Sequence, residues 1–289
     1  MQTHEHASEG PASPAPRLAH ERYCAEITEQ TRLFRQALAG TDPDVRVPTC
    51  PDWTLRELAV HLGGAHRWVH EIVRTRAREE VPAESVPGFA GPAPGPDGTL
   101  PGTAALDAWL AEGAGLLTEA LHLTGPGEPV WSWSAARQHT GFWARRMAHE
   151  TVIHRADVCA ASGRDYTVAP EVAADCVEEW LEILASPEVR AYDPELRELG
   201  ERAGETLHLH ATDAGGAGGP EAEWLIELGA GGEIRWSRAH AKATVALRGP
   251  LTEVLRVFYR RLPPDHESVE VLGDAGLLDF WLRRASFGG

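Results

Sequence analysis

Residues 145–157 read RRMAHETVIHRAD, and this short segment carries the strongest structural and chemical pattern in the sequence. Its apolar residues recur at helical spacing, which predicts an α-helix. Glu150 and His154 lie about 40° apart around such a helix. Asp157 falls about 20° from Glu150, and Arg146 about 40° to the other side. The segment therefore predicts one helix face that carries an arginine, two carboxylates and a histidine.

This charged face has two interpretations. Burying it would be costly unless something compensates, and a metal ion shared by Glu150 and His154 would do so. The alternative is a solvated face on which the two residues form an ordinary helical pair. The pattern differs from the HExxH motif, in which both ligands are histidines and the glutamate is the base.

The next candidate ligand is His61, in an apolar stretch of another predicted helix. Its helical neighbours are apolar, so we expect it to face the core. His66 and His70 lie about 140° and 180° away and are expected to face solvent. If the two helices pack together, His61 completes a site with Glu150 and His154. Three protein ligands leave the open position of a catalytic zinc site, although iron, nickel or cobalt also accept such ligands.

The first half of the chain contains four long segments with helical periodicity. They are residues 17–39, 55–78, 103–123 and 140–161. Thr54 and Glu57 have the spacing of a capping box at the start of the second segment. Four successive amphipathic helices favour a four-helix bundle. The proline- and glycine-rich stretch 81–103 is long for a bundle connection, and it either covers the bundle mouth or is a surface insertion.

The second half changes to short alternating segments that are typical of strands. The predicted strands are 206–211, 223–228, 233–236, 242–248 and 268–272, and the predicted helices are 170–186, 251–262 and 275–285. We therefore predict an α+β protein in which the helical bundle precedes a smaller α+β domain with an antiparallel sheet. The expected divisions are a disordered tail at 1–16, the bundle at 17–163 and the second domain at 164–289.

Composition limits the possible partners. The formal net charge of -16 argues against nucleic-acid binding and favours a small-molecule partner. No apolar run is long enough for a membrane span. The first 16 residues lack the pattern of a signal or transit peptide, and the four scattered cysteines contain no CxxC pair. We expect a cytoplasmic protein; its oligomeric state is not predictable.

Two segments resemble motifs of the mycothiol-dependent maleylpyruvate isomerase family. These are residues 48–62, PTCPDWTLRELAVHL, and residues 149–157, HETVIHRAD. The segments VALRGP at 245–250 and VLGD at 271–274 resemble the second domain of that family. The resemblance covers nearly all of residues 17–289. It implies a DinB-like metal-binding bundle followed by a domain similar to sterol-carrier folds.

The resemblance also implies roles for individual residues. His61, Glu150 and His154 match the family's zinc ligands. The family's isomerase uses an arginine from the second domain, in a Gly-Arg at a helix end. Here the glycine is replaced by Arg260, which leaves Arg261 as the better match; both could instead be surface charges at a helix C-terminus.

The implied chemistry uses mycothiol, a low-molecular-weight thiol, as cosubstrate. A zinc ion, or another divalent metal, lowers the pKa of a bound thiol. The thiolate would add to a small electrophile with a cis double bond, and its expulsion after rotation would give the trans product. Arg261 or Arg146 could hold a substrate carboxylate. Asp157 either orients a ligand or Arg146, or balances local charge.

Three other functions are compatible with the same residues. Stopping after addition or displacement would make the protein a thiol S-transferase. A metal hydrolase would activate water instead and would need a base such as Asp157 or His149. A non-catalytic metal-binding regulator is the last alternative.

Overall fold

The computed structural model describes residues 18–214 and 222–285. The tail expected at 1–16 lies outside these residues. The described chain forms two compact units, and the first consists of Leu18–Val172 together with Tyr259–Leu262. A short segment from late in the sequence therefore belongs to the N-terminal unit.

The first unit contains the four predicted helices. They are α1 (His20–Leu38), α2 (Leu55–Thr75), α3 (Thr103–Thr124) and α4 (Thr140–Ser162). The predicted capping box is present: the Thr54 hydroxyl accepts a hydrogen bond from the Glu57 amide, and the Glu57 carboxylate accepts one from the Thr54 amide. This cap satisfies amide groups that the first turn of α2 leaves without a helical partner.

The core of this unit forms where the apolar faces of the helices meet. Ile27, Val69, Leu117 and Trp143 come from the four different helices and are all buried. Helix α4 is buried around nearly its whole circumference, including Arg146 and Asp157. Charged side chains at such positions need partners within the protein, since water cannot reach them.

A small hairpin precedes α2. Strands β1 (Arg46–Val47) and β2 (Cys50–Thr54) pair antiparallel with an irregular register. The sequence pattern predicted only an irregular stretch here, because three prolines interrupt it. The hairpin leads directly into α2 and so fixes the position of the residues just before that helix.

The second unit consists of Ala173–Phe258 and residues 263–285. Helix α5 (Pro170–Leu184) crosses into it from the first unit. The remaining helices are α6 (Pro187–Tyr192), α7 (Pro194–Glu198), α8 (Leu251–Phe258) and α9 (Ala275–Arg284). The strands are β3 (Thr206–Ala211), β4 (Glu223–Leu228), β5 (Ile234–Arg238), β6 (Val245–Gly249) and β7 (Glu270–Gly273).

The five strands form one sheet in the order β5-β4-β3-β6-β7. The predicted α+β class is confirmed, and β3–β4, β4–β5 and β6–β7 pair antiparallel as expected. Strands β3 and β6 pair parallel instead, so the sheet is mixed. The reason is that the chain passes over β4 and β3 between β5 and β6, rather than making another hairpin. No helix in the described part of the chain is long and apolar enough to cross a membrane.

Candidate metal centre

Helices α2 and α4 bring the three predicted metal ligands together. The Glu150 Oε1 atom lies 3.1 Å from His61 Nε2 and 3.1 Å from His154 Nε2. The centroids of the two imidazole rings are 4.8 Å apart, and the rings are nearly perpendicular, with an angle of 78° between their planes. One carboxylate oxygen therefore lies between two imidazole nitrogens that approach it from different helices.

These three residues fit a divalent metal ion. Their ligand atoms all lie within 4.8 Å of one another. Zinc–nitrogen and zinc–oxygen bonds near 2.0–2.1 Å put tetrahedral ligand atoms about 3.4 Å apart, so small side-chain shifts would accommodate an ion. Burial would raise the pKa of Glu150, but His154, His61 and Arg146 hold that pKa well below its ordinary value. The carboxylate is therefore charged, as a metal ligand must be.

The exposure of His61 differs from the prediction that it faces the core. Its side chain is 39% exposed, whereas that of His154 is 9% exposed. The Trp53 ring lies 4.7 Å from the His61 ring, centroid to centroid. The site therefore lies at the edge of the bundle, where one side can receive a ligand from solvent.

The prediction for His66 was also wrong. His66 is fully buried, and its Nε2 atom is 2.9 Å from the Thr151 hydroxyl on α4. Burial lowers its pKa to about 3, so the ring is neutral. Rotation around a helix predicts which residues share a face, but it does not predict which face other elements cover. Here α4 packs against the side of α2 that carries His66.

Asp157 lies directly behind His154. Its Oδ2 atom is 2.8 Å from His154 Nδ1, and the Thr49 hydroxyl donates to its Oδ1 atom at 2.6 Å. Burial would raise the pKa of Asp157, but His154 and Arg261 hold that pKa well below its ordinary value. A carboxylate on Nδ1 fixes the tautomer that leaves Nε2 free to bind a metal.

Arg261 contacts Asp157 and not the open side of the site. Its Nε and Nη2 atoms donate to Asp157 at 2.9 and 3.1 Å, and its Nη1 atom donates to the Tyr259 carbonyl at 2.8 Å. The preceding Arg260 has φ of 61°, the left-handed conformation that favours glycine. The turn that presents Arg261 therefore has the geometry of a Gly-Arg segment even though arginine stands at the glycine position.

Arg146 contacts the other oxygen of the central carboxylate. Its Nη2 atom donates to Glu150 Oε2 at 2.8 Å. The arginine thereby holds the carboxylate so that Oε1 points at the two histidines. The structure brings all six predicted site residues into one connected group: His61, Glu150, His154, Asp157, Arg146 and Arg261.

Sequence reasoning assigned no role to Thr49, Cys50 or Trp53, which complete this group. All three lie in or beside the β1–β2 hairpin. Arg261 Nη2 donates a hydrogen bond to Cys50 Sγ at 3.5 Å. Burial raises the pKa of the Cys50 thiol to about 11. Cys50 is therefore a neutral thiol and not a nucleophile. The three residues lie within the first family-like segment, which was the available signal.

The tryptophans of the first unit lie in different environments. Trp143 is 1% exposed and packs against Trp68 and Trp131, with ring centroids 5.2 and 6.2 Å apart. Trp133 is 37% exposed and packs edge-on against Phe142. Trp53 is the tryptophan whose ring lies next to the candidate ligands.

The stretch 81–103 packs on the bundle at several points. The Trp68 indole donates to the Val81 carbonyl at 2.7 Å, and the Trp109 indole donates to the Gly88 carbonyl at 3.2 Å. A Cβ atom added to Gly64 would lie 2.8 Å from the Phe89 carbonyl oxygen. This stretch therefore lies close along α2, on the helix that carries His61.

Comparison with known proteins agrees with this architecture. Residues 24–159 match the family model of the mycothiol maleylpyruvate isomerase N-terminal domain, and residues 171–280 match that of the C-terminal domain. No curated protein matches the sequence significantly.

Two solved structures share the fold. The crystal structure of a mycothiol-dependent maleylpyruvate isomerase aligns with a TM-score of 0.55 at 16% identity, covering 88% of this chain and 93% of that one. A histidine-to-alanine mutant of such an isomerase aligns with a TM-score of 0.51 at the same identity and coverage. With both domain models matched in order along one chain, the protein belongs to the mycothiol-dependent maleylpyruvate isomerase family.

Proposed function

We propose that this protein is a zinc-dependent, mycothiol-dependent isomerase that acts on a small electrophile with a cis double bond. The observation that carries the proposal is the position of Glu150 Oε1, 3.1 Å from both His61 Nε2 and His154 Nε2. Family membership supports the thiol as cosubstrate and isomerisation as the reaction. Another divalent metal with the same ligand preferences could take the place of zinc.

The three ligands would hold the ion and leave one position for the thiol. A bound zinc ion supplies a positive charge that lowers the pKa of a thiol toward neutrality. Asp157 holds His154 in the tautomer that presents Nε2, and Arg146 orients Glu150. The half-buried Trp53 ring provides an apolar wall beside His61.

The thiol is regenerated in this reaction. The double bond of the substrate is conjugated with a carbonyl group. The sulfur forms a bond to one carbon of the double bond, and the π electron pair of that bond moves onto the carbonyl. Rotation about the new single bond follows, and return of the electron pair expels the thiolate and restores the double bond in the trans form. If the sulfur bond persists and the electron pair takes up a proton from solvent at carbon, the product is a thioether, which is the S-transferase reaction.

The hydrolase alternative lacks a suitable base among the residues considered for it. Asp157 is fully buried, accepts hydrogen bonds from Thr49 and Arg261 and contacts His154, and its low pKa makes it a poor base. His149 is also fully buried and lies against the Tyr23 ring. A general base must reach the reacting water, so these positions favour thiol chemistry.

The proposal fits a reducing compartment. All four cysteines are buried, and the described part of the chain contains no disulfide bond. A cosubstrate thiol and a lack of disulfide bonds are typical of the cytoplasm, where we expect this enzyme to act.

Metal analysis tests the site. The full chain is dialysed with zinc, and bound metal is measured in the wild type, His61→Ala and Glu150→Ala. We expect each variant to lose one metal equivalent relative to wild type. His70→Ala, a change on the same helix at a histidine outside the site, should keep the wild-type content. Full retention in His61→Ala and Glu150→Ala would overturn the metal assignment.

A product assay tests the reaction. Zinc-loaded protein is supplied with maleylpyruvate, the substrate in the name of the similar structures, with and without mycothiol. We expect the trans isomer only when mycothiol is present, at constant thiol concentration. An accumulating thioether would replace isomerase by S-transferase, and hydrolysis without thiol would replace both by hydrolase.

A further inference from the structure

A second group of metal-ligating side chains lies in the C-terminal unit, on the sheet. His208 and His210 are two residues apart on β3, so both side chains point to the same face. Glu223 begins β4 and pairs directly with His210 across the ladder. The opposite face of β3 carries the buried Leu207 and Leu209, which belong to the core. The group therefore lies on the face of the sheet opposite to these two core leucines.

A third histidine reaches this face from the connection between β5 and β6. The connection has to pass over β4 and β3, because those strands separate β5 from β6 in the sheet. His240 lies in this crossing segment, and its Nδ1 atom is 2.6 Å from Glu223 Oε2. The parallel pairing of β3 with β6 thus brings His240 above the two histidines of β3.

All three imidazoles surround one carboxylate oxygen. Glu223 Oε2 is 3.1 Å from His208 Nε2, 3.3 Å from His210 Nδ1 and 2.6 Å from His240 Nδ1. The ring centroids are separated by 5.6, 5.8 and 5.8 Å, with interplanar angles of 70° to 85°. The four ligand atoms all lie within 4.8 Å of one another. Three histidine nitrogens and a carboxylate oxygen that converge in this way are a ligand set that zinc accepts in tetrahedral sites.

Hydrogen bonding leaves this group incompletely satisfied. His208 is 5% exposed, and its buried Nε2 atom has no hydrogen bond of acceptable geometry to any residue that the structure describes. A buried imidazole nitrogen without a hydrogen-bond partner is costly, and a metal ion would satisfy it.

We propose that His208, His210, Glu223 and His240 form a second metal site, which binds a zinc ion with four protein ligands. Four ligands fill a tetrahedral coordination sphere, so the site is structural and has no open position for a reactant. The ion would tie the β3–β4 ladder to the crossing segment that carries His240. This site is separate from the His61 site and does not depend on the proposed isomerase activity.

Metal stoichiometry of the full chain tests the proposal. All proteins carry His4→Ala and His6→Ala, because these histidines precede the described residues and could bind metal by themselves. After chelation and zinc titration, we expect two equivalents in this parent, one in Glu223→Gln, one in His61→Ala and none when the last two changes are combined. His122→Gln is the matched control and should keep two equivalents. His122 pairs with Glu21 at 3.0 Å, and no third ligand joins this pair among the described residues.

The combination of variants distinguishes failure of this site from failure of the other. One equivalent in the parent that disappears in His61→Ala would overturn the second site and leave the first intact. One equivalent that disappears only in Glu223→Gln would overturn the first site and leave the second intact. His240→Ala removes a side chain that is 78% exposed, so it tests ligation without disturbing the core, and we expect at least a 10-fold loss of zinc affinity at this site.

A stability measurement adds a readout that stoichiometry does not provide. In the His61→Ala background, zinc should raise the melting temperature, because it binds only the folded C-terminal unit. The additional change Glu223→Gln should abolish this rise. Cobalt bound in the same background should show the intense visible absorption of tetrahedral Co²⁺. An unchanged melting temperature with zinc would mean that the four residues form a hydrogen-bonded group only.

Discussion

Arg261 and Asp157 form an ion pair with two contacts, Nε to Oδ1 at 2.9 Å and Nη2 to Oδ2 at 3.1 Å. Asp157 in turn contacts His154 Nδ1 at 2.8 Å. The arginine side chain is thus connected to a candidate metal ligand through one buried carboxylate. This geometry favours a positioning role for Arg261, because the donors that would hold a substrate carboxylate already contact Asp157.

Changing this pair should weaken metal binding. We expect Asp157→Asn and Arg261→Lys to lower zinc affinity at the His61 site by about 10- to 100-fold, the usual effect of disturbing a carboxylate behind a ligating histidine. Competition with a chelator, in the Glu223→Gln background, measures this affinity. Arg35→Lys is the matched control, because Arg35 makes a similar two-contact pair with Asp107. If Arg261 instead holds substrate, Arg261→Lys would raise KM and leave zinc affinity unchanged.

His66 should make the metal-free protein sensitive to acid. Its pKa falls from the ordinary 6.5 to about 3 in the folded chain, so between these values the unfolded state binds more protons. The unfolding free energy is therefore undiminished by His66 above pH 6.5, and it decreases as the pH falls toward 3. At pH 5 the loss from this group is about 2 kcal/mol.

Urea unfolding at pH 7.5 and pH 5, with a chelator present, measures the effect. His66→Gln should reduce the loss of unfolding free energy between the two pH values by about 2 kcal/mol. His122→Gln changes an exposed histidine and should leave the loss as in wild type. An equal loss in wild type and His66→Gln would show that other groups cause the acid sensitivity.

Gly63 should not tolerate a side chain. A Cβ atom at this position in α2 would overlap the Trp109 ring, so we expect Gly63→Ala to cost about 1–3 kcal/mol of unfolding free energy. Gly115 lies on α3, and apart from its chain neighbours and the nearby helix backbone, no described atom lies within 4 Å of an added Cβ. Gly115→Ala should stabilise by up to about 1 kcal/mol, because alanine is the better helix former. Urea unfolding of the two variants measures both changes in unfolding free energy. Equal changes in the two variants would contradict the packing argument.

Trp53 should contribute to substrate binding and not to metal binding. One aromatic contact contributes about 0.5–1.5 kcal/mol to binding, so we expect Trp53→Ala to raise KM by roughly 2- to 10-fold. Metal content should stay at the wild-type value, because Trp53 supplies no ligand. Trp133→Ala removes another partly exposed tryptophan and should leave KM unchanged. A loss of metal in Trp53→Ala would instead assign Trp53 to holding His61 in place.

Helical periodicity and capping, which are local properties, predicted much of this protein. The four long helices, the capping box at Thr54 and the strands Thr206–Ala211 and Glu223–Leu228 follow from residue spacing alone. The pairing of Glu150 with His154 also follows from spacing, because residues four apart lie on one face of a helix. Family-like segments then connected this pair to His61.

Burial and contacts between distant segments were decided only by the tertiary structure. His61 is exposed and His66 is buried, contrary to expectation, because exposure depends on which elements pack against α2. Residues Tyr259–Leu262 belong to the N-terminal unit, and this brings Arg261 to Asp157.

The cluster around Glu223 could not be found from spacing. His240 is distant in sequence from His208, and it reaches the same face only because the chain crosses the sheet before β6. Local sequence patterns specify helices and strands through backbone geometry and side-chain alternation. Which strands become neighbours is decided by burial over the whole unit, and this determined where the second group of ligands converges.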